Sequence, residues 1–250
     1  MMTQKIAMVT GAASGIGEAC ARGLAEDGFF VLVADIDAEG AARVAADIRG
    51  KAVAMDVTSE QAWTDVFAMI ATDHGALHVL VNNAGGGAPA PILMTSYDSW
   101  KTQIDLNLNS CFLGVKTAMQ MMVPRGEGSI INMSSLAAFR GTPGNAAYCA
   151  AKAGIYLLTK TAALEAVQQG GKVRINSVHP GLIATQSATM VVSRSTGVAP
   201  EYALDVISKN IPLKRAGEPN EIAATVRFLA SDAASYITGT SINVDGGMHA

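Results

Sequence analysis

Residues 5–17 read KIAMVTGAASGIG. Lys5 to Thr10 has the length and apolar character of a buried strand, and the glycine-rich TGAASGIG opens a helical pattern through about Asp27. Glycines at 11, 15 and 17 permit a tight turn and close backbone approach to an anion. A helix N-terminus behind them adds free N–H groups and the positive end of its dipole. The junction therefore predicts a pyrophosphate cradle built from Gly11, Ser14, Gly15, Ile16 and Gly17. Its GxxxGxG spacing differs from the GxGxxG of the general dinucleotide fingerprint, and a plain turn would use the same glycines.

The alternation continues along the chain. Phe29 to Ala34 is a second predicted strand, a helix covers about Ala38 to Ile48, and Ala52 to Met55 is a short third strand. Thr58-Ser59-Glu60-Gln61 offers a capped helix start, and Leu77 to Val81 is a strand running into NNAGGG. A long helical region spans Tyr97 to Met122, followed by strand Ser129 to Met133, a helix near Asn145 to Gln168 and strand Val173 to Val178. Pro219 to Leu229 is helical and Ser241 to Val244 a last strand. These β/α units predict an α/β fold: a single Rossmann-type, doubly wound parallel sheet of about seven strands with helices on both faces. No linker divides the chain, so residues 1–250 form one expected domain. Residues 184–210 form one long irregular connection within it, expected to act as a substrate lid.

Half of the 250 residues are apolar and 16% are charged, enough to bury a large core and to exclude wholesale disorder. Eighteen Lys and Arg against 21 Asp and Glu leave −3, with no basic run, so nucleic acid is not an expected partner. No apolar run reaches the ~18 residues of a membrane span, and the N-terminal MMTQKIAMV lacks a leader pattern. A cytoplasmic protein without membrane contact is expected. Cys20, Cys111 and Cys149 are widely spaced and read as reduced thiols. His74 and His78 have helical spacing, but no carboxylate completes a ligand set, so no metal is expected.

Asp35 lies 18 residues past Gly17, at the end of the second strand, where a carboxylate accepts hydrogen bonds from adenosine ribose hydroxyls. It would repel a 2′-phosphate, and no cation stands at Ala12, Ala13 or Ile36 to attract one. NAD (NADH) rather than its phosphorylated counterpart is the expected cofactor. Capping of the next helix is the plain alternative for Asp35, although Asp37 can serve there.

Tyr148 and Lys152 are four apart in a helical pattern and share one face. Lowering a phenol of pKa ~10 by three units takes about 4 kcal/mol. One ammonium at ~4 Å with an effective dielectric of ~20 supplies about that much. The pair suits proton exchange with a carbonyl or alcohol, although YxxxK is frequent by chance. Ser135 stands 13 residues earlier, after the strand in SIINMSS, on the sheet edge that faces a ligand crevice.

TGAASGIG, NNAG, SIINMSS, YCAAK and VHPGLIAT, with DGG at 245–247, occur in an order and spacing that resemble the short-chain dehydrogenase/reductases over nearly the whole chain. The resemblance implies Tyr148 as general acid/base, with Lys152 lowering its pKa and holding the nicotinamide ribose. It implies Ser135 as the hydroxyl that orients the substrate oxygen, Ser134 being the competitor one residue out of register. Asn107 in DLNLNSCF corresponds to the asparagine that holds a water in the family's proton relay. Asp35 with Ile36 would border the adenosine, Asp56 and Val57 the adenine, and Asn83, Ala84 and Gly85 the adenosine side of the cleft. Pro180, Gly181, Ile183 and Thr185 would line the nicotinamide. The run Gly85-Gly86-Gly87 departs from relatives that carry a larger residue after NAG, and could loosen the floor of the site.

Ala188, Met190, Val191 and Val192, with Leu136, Ala137 and Phe139, point to a hydrophobic alcohol or ketone as substrate, cyclic and steroid-like ones included. The same groups could instead pack the lid or a subunit contact. A 3-oxoacyl-thioester (acyl-carrier-protein) reductase is the alternative, kept open by Arg194, Lys209, Lys214 and Arg215. A catalytically silent NAD-binding regulator is a third reading, against which the set Asn107, Ser135, Tyr148 and Lys152 argues. The resemblance also implies a homotetramer.

Overall fold

The computed structural model describes residues 4–250. Seven strands, β1 (Ile6–Thr10), β2 (Phe30–Asp35), β3 (Lys51–Ala54), β4 (Val79–Asn82), β5 (Glu127–Met133), β6 (Lys172–Pro180) and β7 (Ser241–Val244), form one sheet. Their order is β3-β2-β1-β4-β5-β6-β7, and every neighbouring pair is parallel. The strand order reverses between β1 and β4, so a crevice opens beyond their carboxyl ends.

Helices cover both faces, which is why the strands read as unbroken apolar runs. Side chains of β1 alternate between two cores. Ile6 and Met8 face a cluster with Trp63, Val115 and Ile155, from α3 (Glu60–Asp73), α5 (Ser110–Met122) and α6 (Ala146–Gln168). Ala7 and Val9 face Leu24, Val44 and Val226, from α1 (Gly15–Glu26), α2 (Ala38–Ile48) and α9 (Pro219–Ala230). The α1 and α9 helices approach closely: a Cβ on Gly23 would stand 2.8 Å from Arg227 Cδ, and the Arg227 guanidinium pairs with Asp27 and Glu26.

Two stretches differ from the sequence reading. Residues 184–210, expected to be irregular, hold α7 (Gln186–Thr196) and α8 (Pro200–Ser208). The Thr185 hydroxyl caps α7 by accepting from Ala188 N at 3.1 Å, Gly197 ends it at φ +72°, and Pro200 starts α8. The long helix expected over 97–122 is α4 (Tyr97–Ile104) followed by a widened π-type turn at Asp105–Asn109 and then α5. Other boundaries fall within about two residues of expectation. No helix among the described residues is long and apolar enough to cross a membrane.

Candidate active site

The turn between β1 and α1 is built around its glycines. Gly11 sits at φ +63°, and a Cβ there would lie 2.8 Å from Ala84 Cα; one on Gly17 would lie 2.0 Å from the Gly11 carbonyl oxygen. Asn83 braces the turn, its Nδ2 donating to the Thr10 and Gly11 carbonyls at 2.9 and 3.0 Å. Ser14 precedes the helix in extended conformation and its side chain makes no capping bond, which leaves first-turn N–H groups free for an anion.

Asp35 closes β2 with both oxygens engaged. Oδ2 accepts from Ala13 N at 2.9 Å and Oδ1 from Asp37 N at 3.0 Å, so the carboxylate ties the glycine turn to the strand end. Asp37, not Asp35, caps α2 by accepting from Gly40 N. Ile36 beside it is 76% exposed. A cation also reaches this corner: Arg43 on α2 donates to the Ala13 carbonyl at 2.9 Å and pairs with Glu18. Ala12, Ala13 and Ile36 themselves carry no cation; Arg43 reaches Ala13 from thirty residues along the chain. Asp56 Oδ1 accepts from the N–H and hydroxyl of Thr58, while Val57 is buried and its carbonyl holds Trp63 Nε1.

Ser135, Tyr148 and Lys152 line one wall of a cleft of about 760 Å³, with Asn83, Gly85, Pro180, Gly181, Ile183 and Thr185 around it. Ser134 and Ser135 separate cleanly. The Ser134 hydroxyl is buried and donates to the Lys152 carbonyl at 2.9 Å, whereas Ser135 Oγ accepts from Ala137 N and keeps its own proton to donate.

Lys152 Nζ lies 5.4 Å from the centre of the Tyr148 ring and donates to the Met133 carbonyl at 2.9 Å. Burial pushes its ammonium down to about 8. Burial also pushes the Tyr148 phenol above its ordinary value, and the Ser135 hydroxyl acts in the opposite direction. Desolvation outweighs the Ser135 hydrogen bond, and Ser135 is the group of this chain that favours the phenolate.

Asn107 lies at the centre of the π-type turn and is 1% exposed. Its Nδ2 donates to the Gln103 carbonyl at 2.9 Å, the acceptor that an α-helix would give to the Asn107 backbone N–H, and the helix widens there. The same side chain donates to Gly86 O and accepts from Gly86 N, while Gln103 bonds both polar groups of Ala88. The Gly85-Gly86-Gly87 run is thus clamped rather than loosened. A Cβ on Gly85 would lie 2.7 Å from Asn107 Oδ1, so the close approach needs a glycine. Two of the thiols stay outside this chemistry: burial pushes both Cys20 and Cys111 up to about 12.

Residues 11–249 match the family model described as Enoyl-(Acyl carrier protein) reductase. The chain belongs to the short-chain dehydrogenase/reductase family. It is 38% identical to 2,5-dichloro-2,5-cyclohexadiene-1,4-diol dehydrogenase of Sphingobium indicum, across 97% of this chain and 95% of that one. It is 41% identical to the 3-oxoacyl-[acyl-carrier-protein] reductase of a Synechocystis species, across 99% and 98%. The crystal structure of levodione reductase superposes with a TM-score of 0.92 at 29% identity, across 99% and 98% of the two chains. Short-chain dehydrogenase/reductases are oxidoreductases of CH–OH groups that bind a nicotinamide cofactor. The residues here fit such a group: the glycine turn leaves no room for side chains beside free helix N–H groups, and the acidic strand end stands next to it.

Proposed function

We propose that this protein is an NAD(H)-dependent oxidoreductase that interconverts a hydrophobic secondary alcohol, cyclic and steroid-like ones included, with its ketone. The observation that carries the reading is the shared wall of Ser135, Tyr148 and Lys152 in a cleft where Leu136, Ala137, Leu182, Met190 and Val191 form an apolar side next to polar Asn145 and Gln186. Such a surface favours an apolar ring over a sugar or a phosphate. The likeness to a cyclohexadienediol dehydrogenase supports the same substrate class.

A bound nicotinamide supplies the two-electron acceptor or donor, held by Gly11 to Gly17, Asp35 and the 180–185 segment. Tyr148 takes the proton from the alcohol oxygen in oxidation and returns it in reduction. Ser135 donates a hydrogen bond to that oxygen, holding it against the phenol. Lys152 fixes the ribose and the strand end, and Asn107 holds the floor through Gly86. Asp35 disfavours a 2′-phosphate, hence the preference for NAD. Residues 184–210 close over the substrate as a lid, within one domain and a cytoplasmic homotetramer.

A second reading, reduction of a 3-oxoacyl thioester, is favoured by the exposed Arg140 at the cleft rim and by the Synechocystis relative. Following NADH and NADPH absorbance against cyclic alcohols, ketones and 3-oxoacyl thioesters separates the readings. Turnover of cyclic alcohols with NAD is expected. Turnover restricted to thioesters would give the second reading, and tight NADH binding with no turnover would make the protein a regulator.

A further inference from the structure

The histidine in VHPG is absorbed by none of these roles. His179, at the end of β6, is completely buried. Its Nδ1 lies 3.1 Å from the Ser135 carbonyl and its Nε2 2.8 Å from Ser177 Oγ. A carbonyl oxygen can only accept, so Nδ1 carries the proton and Nε2 accepts from the Ser177 hydroxyl. The other neighbours of that hydroxyl, Thr240 O at 3.4 Å and Ser241 Oγ at 3.3 Å, are more distant.

The ring cannot easily turn. Phe139 stacks on it at 4.6 Å and 26°, His249 stacks on Phe139 at 4.4 Å, and the Tyr156 ring meets the imidazole edge-on at 5.8 Å. The charged and titratable groups that face it are Lys152 and Lys160 on α6 and His249 near the C-terminus. All three oppose a second proton, and burial pushes the imidazole down to about 4, so the ring is neutral at physiological pH.

We propose that His179 is a positioning residue for Ser135. Its Nδ1–H holds the Ser135 carbonyl, and with it the short extended backbone (φ −168°, ψ 160°) from which the hydroxyl addresses the Tyr148 phenol and the substrate oxygen. Neighbouring Ser134 is anchored to α6 through the Lys152 carbonyl, so the two serines are pinned from opposite sides. A neutral histidine provides a long, rigid donor without adding charge beside Lys152. This role rests on the oxidoreductase reading for its kinetic effect, but not for its effect on the phenol.

The test compares His179→Leu with His179→Asn, whose amide retains a donor near the Nδ1 position. In His179→Leu, kcat should fall about 10- to 100-fold while KM and NADH affinity stay within about twofold. His179→Asn should recover most of the loss. Tyr148 ionisation, followed by NMR of ring-labelled tyrosine and assigned with Tyr148→Phe, should move to higher pH in His179→Leu but not in His179→Asn. Should His179→Leu fail to fold, Ser177→Ala carries the test, with a several-fold loss of kcat and the same upward movement of the phenol. Unchanged kcat and phenol titration in a folded His179→Leu or in Ser177→Ala would overturn the proposal, as would an Asn variant no better than Leu. If the wild-type protein turns over none of the substrates, the oxidoreductase reading fails, and the phenol titration still decides the role of His179.

Discussion

Lys152 Nζ and the Met133 carbonyl are joined at 2.9 Å, so the ammonium is fastened to the end of β5, one residue before the serine pair. That position is only 3% exposed, and burial lowers the lysine from 10.5 to about 8. Between those two pH values the unfolded chain holds a proton that the folded one has released. Stability from this group therefore rises with pH across the window, and below it the buried charge costs roughly 3 kcal/mol. Lys152→Met should lower kcat at least ~100-fold, yet be no less stable than wild type at pH 7. Thermal melts at several pH values check this: its advantage should shrink as pH rises from about 8 towards 10.5. A variant that loses more stability at neutral than at alkaline pH would contradict it.

Tyr148→Phe removes the phenol oxygen and little else. The rate should drop about 10²- to 10⁴-fold, the usual contribution of a positioned acid/base. NADH affinity, measured by fluorescence titration, should stay near the wild-type value. Retained turnover would place the proton transfer elsewhere.

Asp35 and Arg43 both meet Ala13, one at its N–H and the other at its carbonyl. Removing the carboxylate leaves the guanidinium, paired with Glu18, as the cation nearest Ala13. Asp35→Ala should raise the NADPH-to-NADH ratio of kcat/KM by about tenfold or more, and adding Arg43→Ala should cancel the gain. The single variant should also melt earlier, because the Ala13 and Asp37 N–H groups lose their acceptor. An unaltered ratio would exclude Asp35 from cofactor discrimination.

Two glycines of the cleft should respond in opposite ways. A Cβ on Gly17 would sit 2.0 Å from the Gly11 oxygen, whereas one on Gly86 would meet nothing within 4 Å. Gly17→Ala should abolish dinucleotide binding or folding, while Gly86→Ala should change stability by no more than about 0.5 kcal/mol. Chemical denaturation of the two variants side by side makes the comparison.

The sheet and most helices were legible because burial on both faces turns β1 and β4 into unbroken apolar runs punctuated by glycine. The meeting of Ser135, Tyr148 and Lys152 followed from strand-end and helix-face placement. What stayed hidden depends on contacts between distant segments. The π-type turn exists because one amide, on Asn107, takes the Gln103 carbonyl, and the sign of the Tyr148 shift depends on how deeply tertiary packing buries it. Helices α7 and α8 were obscured because they are short, 11 and 9 residues, and are broken from each other at Gly197. Of the partners of His179, Ser177 shares its strand face two residues away, but the Ser135 carbonyl just past β5 comes from forty-four residues earlier, beyond any spacing rule.

Helix α1, whose first turn is the proposed anion cradle, rests against α9 through Gly23 and is latched by Arg227 to Asp27. Its brace thus lies two hundred residues downstream. During synthesis on a ribosome, the glycine turn emerges some two hundred residues before its support. A nascent chain stalled before α9 would carry every residue of the glycine turn without the helix that α1 rests against.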